Sequence, residues 1–512
     1  MKAALPLPIQ QISMKLYKRF LQNRSAHVFA GLILCLTTAA FAAESDLDGS
    51  YLPAVNSAVP SIAVQPDGKA IIGGSFTTVN GQTRNFVARL NLNGTTDTTF
   101  PVQTPNLSVT QVLLQPDGKI IVTGGFTTYN GTPHNRIIRL NADGTIDSTF
   151  ISTVGANNTI IAVALLTNGQ IMIGGDFTTY NAVARSNIAR LNSDGSLDLT
   201  FNSTVVPNTA AGAVRVIVPQ SDGTIYFGGG FSSVGGVTRN SVARVNADGT
   251  LDTTFNPGTA DFTFTNSILP LASGQVLLGG SYVSFSGPPS RNALARLNAN
   301  GTNDTTFNAN LAQSNIIFKM IPQAGGHVLL IGSITSVGGT PRGGIVRINA
   351  DGTQDGTFNV NAGSNGTINT GAIQPDGKIL IGGQFLSYNG VNQPTLARLM
   401  GTPPLAGGIS VSGRITAFNG RGIAAASVIL TEANGASYRA TTNARGYYRF
   451  DDITAGQTCV ITASARRYTF AEPTRVLMLT DNLADLDFVG LPQRGSDVID
   501  RPLSQRPEPF ER

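Results

Sequence analysis

The sequence QPDGKAIIGGSF at residues 65–76 returns as QPDGKIIVTGGF at 115–126 and as QPDGKILIGGQF at 374–385. Weaker copies place the glycine of the same turn at Gly169, Gly223, Gly274 and Gly326. With Gly68, Gly118 and Gly377 they set a period of 50 to 54 residues. A unit of that size cannot bury its apolar face alone, so neighbours must stack into a ring or an open array. Each copy carries two stretches of alternating β-branched and aliphatic residues folded about Asp-Gly, one around PDG and one around NADGT. Asp-Gly closes a tight hairpin because glycine accepts positive φ. Four short strands per unit predict the blade of a β-propeller.

The second motif, ARLNADGTxDxTF, ends at Phe100, Phe150, Phe201, Phe255, Phe307 and Phe358, but after Arg398 the chain runs into LMGTPPLAGG. The missing fourth strand stands at the other end of the sequence. Leu47-Asp48-Gly49-Ser50-Tyr51 aligns with Ile146-Asp147-Ser148-Thr149-Phe150. A split copy of this kind closes a ring and removes an unpaired sheet edge, whereas an open array needs caps. The expected architecture is all-β: a seven-bladed β-propeller over residues 44–402, closed by the N-terminal strand.

These repeats resemble the bacterial delta-60 family, whose motifs QPDGKIxxGGxF and ARLNxDGxxDxxF this chain reproduces nearly verbatim. The resemblance implies a propeller and no established catalytic activity.

The motif arginine precedes an aspartate by eight residues in each complete copy: Arg89 and Asp97, Arg139 and Asp147, Arg190 and Asp198, Arg244 and Asp252, Arg296 and Asp304, Arg347 and Asp355. With the turn centred on Asp143, such residues oppose each other across the hairpin. Arg398 is then expected to take Asp48. A charge pair repeated once per blade sets geometry more than it adds net stability. Position by position RLNADGTID is similar to the calcium loop of integrin-type propellers, with Asn141, Asp143 and Asp147 at ligand positions. The first position is arginine in all copies, and a guanidinium repels a cation. The arginine is expected to stand where a metal stands elsewhere, so no metal and no cofactor is assigned.

By the alternation of strands, the two tight hairpins share one face of the disc, and the longer, more varied loops share the other, where binding is expected. Those loops carry a polar residue near the tip: Arg84, His134, Arg185, Arg239, Arg291, Arg342 and Gln393. The arginines either ring the pore as an anion-attracting set or brace their own loops. Tyr129, Tyr180, Phe285 and Tyr388 either stack on sugar rings or pack the loops. The irregular segment from Phe201 to Val214 is a further place for a blade-specific contact. No nucleophile elbow, HExxH or phosphate loop occurs, and His134 and His327 lie blades apart, so no catalytic residue is assigned.

Residues 28–42 (VFAGLILCLTTAAFA) form an apolar run preceded by basic residues and ending in Ala40-Phe41-Ala42, the pattern of a cleaved signal peptide over 1–42. The formal charge of +5 rests on Lys2, Lys15, Lys18, Arg19 and Arg24, all in that segment. The remainder is neutral, which excludes the basic footprint of a nucleic-acid binder. Beyond residue 42, Cys459 is the only cysteine.

After a linker at 403–408, residues 409–490 lose the repeat. Seven short alternating strands predict a small Ig-like or prealbumin-like β-sandwich. The run SGRITAFNGRGIAAASVILTEANGASYRATTNARGYYRFDDITAG resembles the carboxypeptidase regulatory-like domain, a transthyretin-type accessory module, which implies no catalytic residues. Residues 491–512 are polar and proline-containing and are expected to be a disordered tail. The sum is an exported monomer, secreted or periplasmic, that binds a glycan or surface protein without catalysis. A carboxylate-based hydrolase or lyase around the channel is the alternative, as is a structural cell-surface component.

Overall fold

A computed structural model describes residues 43–151, 154–207, 214–258, 261–284, 292–358, 360–401, 409–432, 436–453, 457–479 and 483–492. The expected signal peptide, the linker, Phe285, Arg291 and the tail from 493 onward lie outside them.

Seven antiparallel meanders form the blades. The inner strands are Ser61–Val64, Val109–Leu114, Ile160–Leu165, Val216–Pro219, Asp261–Pro270, Ile316–Pro322 and Thr367–Ile373, which define blades 1 to 7. Each abuts the inner strand of the next blade, and the last abuts the first. The second strand is buried throughout, as in Ile120–Gly124 and Ile171–Gly175. Its run of aliphatic residues follows from packing against blades on both sides. Phe76, Phe126, Phe177 and Phe385, which end the first motif, are all buried.

The fourth strand is thinner than expected. It meets the third through one bridge per blade, as in Leu90↔Thr96 and Leu140↔Ile146. The aspartate one residue on donates its amide to the motif arginine, 2.8 Å from Asp97 to Arg89. After that the side-chain pair takes over from the ladder. Blade 7 obtains this strand from the chain start: Leu47 bridges Leu399, and Asp48 N lies 2.8 Å from Arg398 O. The propeller is closed as the split copy required.

The double glycine of the first motif has a packing cause. A Cβ on Gly332 would lie 1.9 Å from the Ile316 carbonyl oxygen, and Gly74, Gly175, Gly280 and Gly383 meet inner-strand or inter-blade backbone in the same way. Gly332→Ala is expected to cost about 1–3 kcal/mol by forcing the inner strand of blade 6 outward. A melting temperature equal to wild type would refute the close approach.

The second body is a sandwich of two four-stranded sheets. Ile409–Ala417 alternates buried and partly exposed residues along its length, the mark of a strand with one face on a core. It pairs in parallel with Phe488–Pro492, and this last strand includes Leu491 and Pro492, which had been expected in the tail. The expected strands are present, joined by the short Tyr468–Phe470. Val411, Ile415, Val428, Leu430, Tyr448, Phe450, Ile461 and Phe488 fill the core. Cys459 is buried there, and burial, then Glu432, pushes its thiol up to about 12.

Candidate functional site

The recurrent ion pair is built the same way in every blade. Arg89 Nε lies 2.8 Å from Asp97 and Arg139 Nε 2.7 Å from Asp147. Arg190–Asp198, Arg296–Asp304, Arg244–Asp252 and Arg347–Asp355 fall between 2.6 and 2.7 Å. Arg398 meets Asp48 at 2.9 Å, completing the set across the chain termini of the ring. Each guanidinium also lies over the motif aromatic, 4.9 Å from the Phe100 ring and 4.3 Å from that of Tyr51.

The remaining nitrogens join neighbours. Arg89 Nη1 donates to Ala142 O on the following blade at 2.8 Å, Arg296 to Ala350 O at 2.7 Å, and Arg398 to Leu92 O, linking blade 7 to blade 1. Blade 7 lacks this turn. Arg347 finds the Glu44 carboxylate in its place. Arg244 is the exception, donating Nη1 to the Tyr226 hydroxyl of its own blade at 2.9 Å. The arginine thus fills the position that a calcium ion holds in a loop of similar sequence, and in the other blades it clamps one blade to the next.

The lysine of QPDGK, to which the sequence assigned no role, completes the aspartate. Lys69 reaches Asp97 at 2.9 Å, Lys119 reaches Asp147 at 3.0 Å and Lys378 reaches Asp48 at 2.9 Å. Gln170 and Gln275 stand in at 2.8 and 2.9 Å from Asp198 and Asp304. Its constant offset from the turn was the available signal.

Burial would raise these carboxyls, but hydrogen bonds from Thr200 and Arg190 outweigh it and hold Asp198 at about 2. Thr306 with Arg296, and Thr357 with Arg347, hold Asp304 and Asp355 at about 2 likewise. A carboxyl depressed in the folded state stabilises above its unfolded pKa and loses that contribution as pH falls through the folded one. With an unfolded value near 3.8, each of these three aspartates contributes about 2 kcal/mol that is present above roughly pH 4 and gone near pH 2. The melting temperature is therefore expected to fall steeply over that window. A flat profile down to pH 2 would contradict the pairing.

The opposite end of the blades carries the varied loops. In the six blades where it is described, the loop between second and third strands folds into a two-residue ladder, such as Thr128–Tyr129 with Thr132–Pro133. The Asn of TTYN holds it: Asn130, at φ 49°, accepts from Thr104 N at 2.7 Å, and Asn389 accepts from Gly363 N at 2.7 Å. A second asparagine, Asn106 or Asn365, accepts amides of the loop from the inter-blade segment.

Within this frame the expected binding residues face inward. Tyr129, Tyr180 and Tyr388 are wholly buried, and burial pushes their phenols up. Tyr180 donates to Gly195 O at 2.9 Å and Tyr388 to Ser45 O at 3.0 Å. They pack the loop against the outer strand and present no ring to a sugar. Arg84, Arg185 and Arg239 are buried, each donating Nη1 to the carbonyl before it. Arg342 does the same with Pro341 and lies against Gln354 on the outermost strand. These arginines brace their own loops, each guanidinium turned onto the backbone beside it. Gln393 is buried as well, and His134 is half-buried. The tips expose small and aliphatic residues instead: Val183, Val237 and Val391, with Leu386 and Leu107 beside them. Sequence patterning missed these because an exposed valine in a short strand reads as core.

A seven-bladed ring latched by its N-terminal strand, followed by a sandwich, defines a β-propeller protein with an appended β-sandwich domain. Residues 65–100, 115–150, 166–201, 220–255, 271–307, 323–358 and 374–401 match the family described as "Domain of unknown function (DUF5122) beta-propeller", and residues 410–489 match the carboxypeptidase regulatory-like domain. The chain carries seven copies of the first and one of the second. No curated protein matches it. Among solved structures it is similar to the WD40 β-propeller domain of Doa1, at 11% identity over 68% of this chain and 94% of that one, TM-score 0.46. A chain of the mitotic checkpoint complex is similar at 11% identity over 78% and 99%, TM-score 0.43. No helix among the described residues is long and apolar enough to cross a membrane.

Proposed function

We propose that this is an exported, non-catalytic binding protein of the delta-60 kind, secreted or held at the cell surface or in the periplasm. In this reading it acts as a monomer and meets a partner with the loop-bearing face of its propeller. The observation that supports this most is the exposed apolar set on that face, with Leu386 68% and Leu107 53% accessible beside the valine tips. Exposed aliphatic side chains rimmed by Asn, Gln and Thr suit a protein surface. A glycan remains the second partner class, served by the amides and hydroxyls of the tips after the tyrosines are discounted. Seven aspartates are held by arginine, and Asp143, Asp194, Asp248 and Asp351 accept amides of their own turns, so these carboxylates lend the hydrolase alternative no support.

The test is binding of the chain from residue 43 to a glycan array and to cell-envelope fragments, untreated, protease-treated or periodate-oxidised. Saturable binding lost after protease, and abolished by combined Val183→Glu, Val237→Glu and Leu386→Glu, is expected. Binding unaffected by those changes would move recognition off the loop face, and no binding to any surface would overturn the reading.

A further inference from the structure

The inner strands close around the axis, and the repeat is least regular there. Counting back from the turn glycine, equivalent positions hold Pro60, Thr110, Ile161, Arg215, Asn266, Phe318 and Asn369, followed by Ser61, Gln111, Ala162, Val216, Ser267, Lys319 and Thr370. Both rows face the neighbouring inner strand. Ser61 Oγ accepts from Val112 N at 2.9 Å, Gln111 Oε1 from Val163 N at 2.9 Å, and Thr110 Oγ1 donates to Ile160 O at 2.6 Å. Across residues 59–64, 109–114, 160–165, 214–219, 264–270, 316–322 and 367–373 there is no Asp or Glu, Asp261 standing at the start of the blade 5 strand, and Arg215 and Lys319 are the only cations.

Those two cations share one side of the axis. Arg215 lies 3.8 Å over the Phe264 ring and donates to Asn266 Oδ1 at 3.3 Å, and Asn266 donates to Ile317 O at 3.2 Å, on the strand that bears Lys319. Polar capacity is left over along this wall. Arg215 Nε and Asn369 Oδ1 are buried without a partner among the described residues. Lys319 is reached by water. It has no carboxylate within ion-pair distance among those residues, and enclosure by protein lowers the pKa of its ammonium. Burial lowers that of Arg215 too, opposed by Asp176. Net positive charge in a narrow channel with low-dielectric walls concentrates anions. An Nε–H and an ammonium without acceptors are the donors an oxyanion takes.

We propose that the axial channel binds an oxyanion, the phosphate or carboxylate of a small molecule, on the wall formed by Arg215, Asn266 and Lys319, with Asn369 placed for an adjacent hydroxyl. Such a site breaks the sevenfold repeat, as a ligand site must when the clamps and braces obey it. It is independent of the partner at the loop face.

The test is isothermal titration of the chain from residue 43 with inorganic phosphate, glucose 6-phosphate and gluconate, against chloride at matched ionic strength. Saturable binding is expected, weakened about tenfold by Lys319→Gln and similarly by Arg215→Gln. Phosphate and sugar acid binding unequally identifies which oxyanion the wall prefers. Should Arg215→Gln not fold, NMR of the reductively methylated lysines decides: the Lys319 amine pKa rises when an anion binds. No binding above chloride, or binding indifferent to Lys319→Gln with an unmoved lysine signal, would overturn the site.

Discussion

Arg296→Met is expected to destabilise the protein by about 3–5 kcal/mol, because it strips a buried carboxylate of its counter-charge. Asp304 would keep Thr306 and the neutral Gln275 amide. The same change at Arg139 is expected to cost less, about 1–3 kcal/mol, since Lys119 stays 3.0 Å from Asp147. Both variants lose a bond to the next blade, so the difference isolates the charge. Urea unfolding of the two side by side checks it, and adding Gln275→Lys to the Arg296 variant should recover part of the loss. Equal losses in both blades, with no recovery, would show that the arginine works through packing alone.

A chain beginning at Leu52 is expected to lose its cooperative melt at the wild-type temperature and to associate. It lacks Asp48, Glu44 and Tyr51, leaving Arg398 and Arg347 short of partners and a cavity where a fully buried ring had been. Removing a buried aromatic costs about 3–5 kcal/mol and orphaning a buried arginine a similar amount, sharing one site and so not simply adding. Against a total of roughly 5–15 kcal/mol, that opens the ring. The third strand of blade 7, Leu396–Leu399, would then be an apolar edge ready to pair with another copy. Light scattering should show oligomers, and a peptide of residues 43–51 added in trans should reverse them. A monomer melting like wild type would sink the closure.

The blades, their number and the latch could be read from the chain because Asp-Gly turns and the arginine–aspartate interval repeat at fixed offsets, and hairpin geometry converts offset into contact. The fourth strand was overestimated, since RLNADGTID alternates like a ladder even where one bridge and an ion pair hold it. The loop residues misled for a different reason. Arg84 and Tyr129 look surface-bound beside Asn-Gly, yet Asn130 folds each tip back and turns them under it. Arg215 and Lys319 passed unnoticed because a single departure from a repeat carries no pattern. Only the convergence of the inner strands gives it neighbours.

The latch also sets a clock. Asp48 is among the first residues of the ring to be made and Arg398 among the last, so the outer strand has no blade 7 to join until the whole circle has been synthesised. Joining ends so far apart carries a loop-closure cost that local hairpins do not, and contacts of this range form late. Blades 1 to 6 can assemble as they emerge, while the leading segment waits. A chain cut short before Leu399 would therefore remain an open arc, its seam unsewn, and quality control would meet it in that form.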